Sequence, residues 1–474
     1  MRGKDLSMMQ YNAVTPEVVS KLQSIVGEKF VKTDKDVLEV YQSDESLTPS
    51  LWHLPEVVVS PANTEEVAAI VKLANTYHIP VTPRSAGTSV SCGAVPVCGG
   101  IVLLMERMNK ILELNEDGMY LVAEAGARTI DIQNAAHDRG LMYAGDPCSA
   151  ESCLIGGNLA TNAGGNKAVR YGTTRHQVYG IEVVLPNGKI ANLGSPLKKC
   201  STGYCLDQLI IGSEGTLGII TKVILKLVPL APYHLDVLAI FTDLSKATAL
   251  VPKLVKAGLN PTSVEFMDNN FVRSSSDYSE LKLPHYEDGC YDIISIETFN
   301  EDELDDKMET VAAICEEAGA TDVVEADDRV WKIRRNCLES TRVFSKVATS
   351  EDLVVPVPKI AECIQTLVKE SQNYDFLIFC LAHAGDGNLH FQIMKRDMSD
   401  EEWEKQLADF RSKAYPYVYS LGGRLSGEHG IGYKRLPYME RCTDPVELEL
   451  MKTIKKAVDP NNILNPMKVI DAGN

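Results

Sequence analysis

Residues 57–87 read as one strand–helix–strand unit, which commits the N-terminal part of the chain to a parallel sheet. "VVVS" is a short apolar run, "NTEEVAAIVKLANTY" repeats its apolar residues at helical spacing, and "IPVTP" is a second short run. Asn63 is placed to cap the helix, with Glu66 three residues on as in a capping box. Val67, Ile70, Val71 and Ala74 form its apolar face. Parallel strands need such a crossover, and ligands of parallel α/β sheets gather beyond the carboxyl ends of the strands. Beyond this second strand stands "RSAGTSVSCGA", rich in Gly, Ser and Thr.

Two further glycine-rich stretches follow, "GDPCSAESCLIGGNLATNAGGNKAVRYG" (145–172) and "IGSEGTLGIITKVILKL" (211–227), the latter a turn running into β structure. Backbone N–H groups in such loops form concave anion sites. No G-x-G-x-x-G opens a helix and no G-x-x-x-x-G-K-[ST] is present. Any one of these loops alone is explained as a tight turn. Three in one half of the chain point to a nucleotide cofactor held by an unusual scaffold.

At 474 residues the chain exceeds one ordinary core, so two or three domains are expected. Its formal net charge of −18 argues against nucleic acid or an anionic membrane as the main partner. The first residues, "MRGKDLSMMQYNAVTPEVV", hold no apolar core of a signal peptide, and "IITKVILKLVPLAPYHLDVLAIF" is broken by lysines and by Pro229 and Pro232. A cytoplasmic protein without a transmembrane segment is the expectation. The 12 cysteines form no C-x-x-C, and the pairs Cys148/Cys153 and Cys200/Cys205 lack cluster spacing, so reduced thiols are expected and no cluster to carry electrons. The prolines of "VPLAPYH" (228–234) mark a domain boundary. Residues 235–419 mix strands with amphipathic helices such as "EDELDDKMETVAAICEEAGA", and the tail "DPVELELMKTIKKAVDPNNILNP" is helical up to Pro460.

The chain has only nine histidines, and "FCLAHAGDGNLHFQ" (379–392) places two of them around one turn. Asp386-Gly387 predicts a two-residue hairpin. In that register His383 faces His390, with Cβ atoms about 5 Å apart. Such a pair can converge on a metal ion or can be a stacked or surface pair. "LSGEHGIGY" (425–433) adds Glu428 and His429 on a glycine-flanked loop, where adjacent residues point different ways. Two His and a carboxylate suit zinc, iron(II) or manganese. "VWKIRRNCLESTRV" (330–343) offers Arg334, Arg335 and Arg342, and an arginine fork suits a substrate carboxylate.

Taken together, "PRSAGTSVSCGA", "GGNLATNAGG…RYG" and "IGSEGTLGIIT" resemble the FAD-binding segments of the vanillyl-alcohol-oxidase flavoproteins. "HAGDGNLH" and "SGEHGIG" resemble the D-2-hydroxyacid dehydrogenase branch, which includes D-lactate and D-2-hydroxyglutarate dehydrogenases and the flavoprotein subunit of glycolate oxidase. The resemblance runs from about Pro55 to "ILNPMK" (463–468). It implies an α+β fold: a two-lobed FAD-binding domain over 1–230, an α+β cap domain with an antiparallel sheet over 231–419, and a C-terminal segment, 420–474, returning to the flavin.

The same resemblance implies cofactor contacts from Pro83, Arg84, Ser85, Ala86, Gly87, Thr88, Ser89 and Ser91, with the pyrophosphate on Arg84 to Ser89 and Ser91. Pro147, Gly156, Gly157, Asn158, Thr161, Asn162 and Gly164 would lie along the cofactor. Gly212, Glu214, Gly218 and Ile219 would lie toward its far end, and Asn465 would come from the C-terminal segment. Ser85 stands where the family usually has glycine, so the loop is expected to bend differently if that residue needs positive φ. No histidine lies in this loop, so FAD is expected to be non-covalent. His383, His390 and Glu428 would hold a divalent metal (Zn, Fe or Mn), His429 would be the base, and Arg334 would bind the substrate. The implied reaction is oxidation of a D-2-hydroxy acid, D-lactate to pyruvate first, with glycolate or D-2-hydroxyglutarate as alternatives. Electrons would pass to a partner such as an electron-transfer flavoprotein. A metal-dependent hydrolase would explain the histidines but leave the three glycine-rich segments idle. A non-catalytic flavin-binding subunit is the other rival.

Overall fold

The structure is a computed structural model, and it describes residues 11–46 and 48–471. Residues 1–10, on which the signal-peptide reading partly rests, lie outside the described residues. The chain divides into two compact units. One comprises 1–163, 173–230 and 428–474, and the other comprises 164–172 and 231–427.

Among the described residues the first unit contains two larger sheets and a two-stranded pair, Val228–Pro229 with Leu141–Met142, and the 57–87 pattern helps to build the first sheet. The helix Thr64–Tyr77 starts where the sequence predicts: Asn63 accepts from Glu66 N at 2.9 Å, and the Glu66 carboxylate accepts from Ala62 N at 2.7 Å. Val67, Ile70, Val71 and Ala74 are fully buried. The helix connects Val57–Val59 to Val81–Arg84, but these strands are not neighbours. Ile101–Leu104 lies between them, parallel to both, in the order Val31–Lys32, Val57–Val59, Ile101–Leu104, Val81–Arg84. The second sheet is antiparallel, in the order Ile111–Asn115, Tyr120–Glu124, Ile219–Lys226, Val178–Val184, Ile190–Gly194. The helix Pro445–Val458 ends before Pro460, and the chain then joins the first sheet's edge. Val81 N donates to Ile463 O at 2.8 Å and Asn465 N donates to Val81 O at 2.8 Å. Buried Lys455 fastens this return, donating to Asp459, Thr216 O and Leu464 O at 2.6–2.9 Å.

The second unit is built on a seven-stranded sheet. Its order is Asp322–Glu325, Tyr233–Phe241, Cys290–Thr298, Ser263–Met267, Leu377–His383, Asn388–Met394, Ala348–Val354, and every pairing is antiparallel. Asp292 sits in the interior strand Cys290–Thr298, opposite Ala239 and Phe266. It is fully buried, with both carboxylate oxygens lacking a hydrogen bond, and burial holds its pKa well above the ordinary carboxylate value. The unfolded chain releases this proton near pH 4, whereas the folded chain retains it. Stability therefore falls as pH rises from about 4 toward the raised value. Asp292→Leu keeps the size and removes the cost. It is expected to stabilise the protein by about 1–3 kcal/mol, with a larger rise in denaturation midpoint at pH 8 than at pH 5. Equal midpoints for variant and wild type at both pH values would contradict this.

Candidate active site

In the first unit, the loop after Val81–Arg84 curls back on its own arginine. Arg84 is buried, donates to Ser43 O at 2.6 Å and lies 5.6 Å from the Tyr41 ring centroid. Burial lowers its pKa, against the pull of neighbouring Asp44. Gly87 has φ +77°, and a Cβ there would fall 2.1 Å from the Arg84 guanidinium. Ser85 is not among the residues at positive φ, so it needs no glycine and the bend expected from it is carried by Gly87. Ser85 instead packs against Gly157, whose added Cβ would stand 3.2 Å from the Ser85 Cβ. Ser89 Oγ accepts from Ser91 N and Gly93 N, both at 3.2 Å.

Other residues implied at the cofactor are partly spent on the fold. Asn158 donates to Thr129 Oγ1 at 2.7 Å, and Thr161 donates to Gly157 O at 3.3 Å. Asn162 ends its helix at φ 55° and accepts from Arg175 N at 2.9 Å. Pro147 O accepts from Ala150 N, and Gly212 N donates to Leu159 O. A Cβ on Gly218 would stand 2.5 Å from Val183, beside the start of the strand that Ile219 opens. Gly164 begins the 164–172 segment of the second unit. Asp44 Oδ2, Ser213 Oγ and Asn465 Oδ1 are buried without hydrogen-bond partners. Such atoms are rare in a folded chain. Together with Gly87, where the Arg84–Ser91 loop leaves no room for a side chain, they fit a polyhydroxylated dinucleotide. Asp44 was not foreseen, because its own sequence neighbourhood carries no motif.

The loop carrying Glu428 and His429 also belongs to the first unit. His429 Nε2 lies 3.9 Å from Glu428 Oε1, and Ser91 Oγ donates to His429 O at 2.9 Å. Glu214 accepts from Ile431 N at 2.7 Å and from Gly432 N at 2.9 Å. Burial pushes the Glu214 carboxyl up to about 7, partly offset by these backbone donors. Asn465 Nδ2 donates to Glu214 O at 2.7 Å and to Gly93 O at 3.0 Å.

In the second unit the histidine hairpin forms, but its register differs from the expected one. His383 pairs with Asn388, and His390 pairs with Leu381, so residues 384–387 form a four-residue loop. Asp386 N and Gly387 N both reach His383 O at 3.2 Å, which closes the wider turn. The slip is an even number, so both histidines stay on one face. Their rings lie edge to face with centroids 5.2 Å apart.

Two carboxylates that sequence reasoning missed stand beside the rings. Glu265 Oε1 lies 2.7 Å from His383 Nδ1 and orients that ring, whereas Asp352 lies 3.8 Å from His390 Nδ1, beyond hydrogen-bond range. Glu265 also takes two donors of Arg334 on Oε2, at 2.7 and 3.2 Å, and Arg334 is buried with it. Burial raises the Glu265 pKa, but His383 and Arg334 outweigh burial and hold it below the ordinary value. Asp352 in turn accepts from Asn388 at 2.7 Å and Gly427 N at 3.1 Å. Glu428 is the next residue of the chain. A carboxylate on one imidazole nitrogen fixes the ring and aims the other nitrogen at a metal. The two imidazoles of this hairpin are donors of the type that zinc, iron(II) and manganese accept. The signal for Glu265 was available: one acid stands inside the apolar strand "SVEFM".

Residues 55–194 match the family model described as an FAD binding domain, and 235–469 match that of the C-terminal domain of FAD linked oxidases. A D-lactate dehydrogenase of Anaerostipes hadrus is 37% identical, over 98% of this chain and 99% of the relative. The glycolate oxidase subunit GlcD of Bacillus subtilis is 34% identical, over 96% and 97%. Among solved structures, p-cresol methylhydroxylase with substrate bound superimposes with a TM-score of 0.78 over 97% of each chain at 19% identity, a likeness of fold.

Proposed function

The chain belongs to the FAD-linked oxidases as an FAD-dependent oxidoreductase of the D-lactate dehydrogenase type, and we propose that it oxidises D-lactate to pyruvate with a divalent metal at His383, His390 and Glu428. The observation that carries the choice of substrate is the full-length likeness to a D-lactate dehydrogenase.

In this reading the substrate loses two electrons and two protons, as a hydride from Cα and a proton from its hydroxyl. FAD, when held by the glycine-rich loops, would supply the two-electron acceptor that this oxidation needs. A divalent metal, when bound, supplies Lewis-acid polarisation of the hydroxyl. The protein's own residues do the rest. His429 takes the hydroxyl proton. Arg334, held rigid by Glu265, binds the substrate carboxylate. Glu265 couples the two functions, because one oxygen orients His383 and the other orients Arg334. Arg84 to Ser89 and Ser91 cradle the pyrophosphate.

Specificity is tested by steady-state turnover with a dye acceptor on D-lactate, L-lactate, glycolate and D-2-hydroxyglutarate. D-Lactate should show the highest kcat/KM. A higher value for glycolate or D-2-hydroxyglutarate would move the assignment to that acid. The sequence holds no C-x-x-C, and we assign reoxidation to an electron-transfer flavoprotein. Turnover should rise when such a partner is added, and fast turnover with oxygen alone would remove the need for one. The Arg84–Ser91 loop holds no histidine, so acid precipitation should release the yellow colour into the supernatant. Colour retained in the pellet would show a covalent flavin.

A further inference from the structure

We propose that Glu214 is the positioning residue for His429, its buried carboxylate gripping the loop that carries the histidine. The proposal rests on His429 being the base. It assigns Glu214 a task different from the cofactor contact that the sequence resemblance implies.

The loop is held from several sides: Glu214 takes the N–H groups of Ile431 and Gly432, and Ser91 O takes those of Tyr433 and Lys434 at 3.1 and 3.2 Å. Glu214 Oε1 accepts from Ile431 N at 2.7 Å, and Gly432 N lies 2.9 Å from Oε2 and 3.2 Å from Oε1. Arg435 donates to Gly430 O at 2.9 Å, and Ser91 Oγ donates to His429 O at 2.9 Å. The glycines make this grip possible. Gly430 has φ +83°, and a Cβ there would stand 2.7 Å from Glu214 Oε1; Gly432 has φ +54°, and a Cβ there would strike Ser91 O at 2.0 Å. Larger residues would push the loop off the carboxylate.

Glu214 is itself held in an uncommon conformation. Its φ is +52°, in the left-handed region that non-glycine residues avoid. Its N–H is tied to Ala160 O at 2.7 Å, and its carbonyl accepts from Asn465 Nδ2 at 2.7 Å. Strain of this kind persists only where the surroundings over-determine it, and it concentrates at functional sites. A carboxylate that accepts backbone N–H groups in a buried setting forms strong, directional bonds. It fixes the backbone two and three residues beyond His429. General-base catalysis tolerates little misplacement, and about 1 Å can cost 10²-fold in rate.

The test uses the FAD-loaded protein with Glu214→Gln, alone and combined with His429→Ala. Glutamine keeps the size but turns one acceptor into a donor facing an N–H. The single variant should keep its FAD and its half-saturation for D-lactate, while the limiting rate of anaerobic flavin reduction falls roughly 10–10²-fold. In the His429→Ala background the same change should alter that rate by less than about twofold, because residues acting as a unit are non-additive. The Ile431 and Gly432 amides should exchange hydrogen at least about tenfold faster. Glu214→Asp, one methylene short, should show the same pattern at smaller amplitude, which covers a Gln variant that fails to fold. An equal slowing in both backgrounds would place Glu214's action elsewhere, and unchanged exchange would remove the grip. A wild-type reduction rate in His429→Ala alone would instead sink the base assignment, and the positioning role with it.

Discussion

His429→Ala should keep both FAD and metal, bind D-lactate with little change in half-saturation, and reduce its flavin about 10²–10⁴-fold more slowly. The expectation follows from the separation of tasks in the chain. The glycine-rich loop at Arg84–Ser91 is a different segment, and Ser91 Oγ grips only the His429 carbonyl, which an alanine retains. Glu214 likewise holds the backbone of Ile431 and Gly432 and not the imidazole. Removing the ring therefore deletes a proton acceptor while leaving the loop's anchors in place. Stopped-flow flavin reduction measured beside FAD and metal content decides it. A variant that loses its metal but reduces flavin normally would make His429 a ligand and not the base.

His383→Ala should do the reverse. Metal affinity should drop by at least the roughly 10–100-fold that loss of a ligand's supporting carboxylate already costs, and flavin reduction should fall with it while FAD stays bound. Glu265 would keep Arg334, so the surrounding structure should survive. Chelation of the wild-type protein should mimic the variant, and added metal should restore the wild type but not His383→Ala. Elemental analysis of the two proteins, with full metal in His383→Ala, would return the histidine pair to a packing role.

These outcomes test a site that was only partly legible in the sequence. The helix at 64–77 was readable because its information is local: a cap, a reciprocal glutamate and an apolar face that recurs every turn. The two strands of the histidine hairpin were readable for the same reason, yet the turn was not. Asp386-Gly387 favours the tightest connection, whereas the neighbouring chain imposes a wider one. Gly387 takes φ +84°, and a Cβ on it would meet Val355 O at 2.1 Å. That constraint comes from residues just beyond Ala348–Val354, a strand more than 30 residues earlier in the chain. The error changed which residues face one another but not which face they occupy, so the histidines still share a side.

Glu265 and Asp352 were missed because their partners are distant in sequence. The acid inside "SVEFM" is recognisable as a buried charge in need of compensation, but nothing local says that the compensation is His383 and Arg334, 118 and 69 residues away. Glu214 shows the same limit: its motif points to a turn, and only the fold reveals that the turn meets the loop after His429.

The central claim, that this flavoprotein oxidises D-lactate, is tested most directly by anaerobic titration of the FAD-loaded protein. Addition of D-lactate should bleach the oxidised flavin spectrum completely, yield about one pyruvate per flavin, and leave L-lactate without effect at the same concentration. A flavin spectrum unchanged by D-lactate, in protein that carries both FAD and metal, would contradict it.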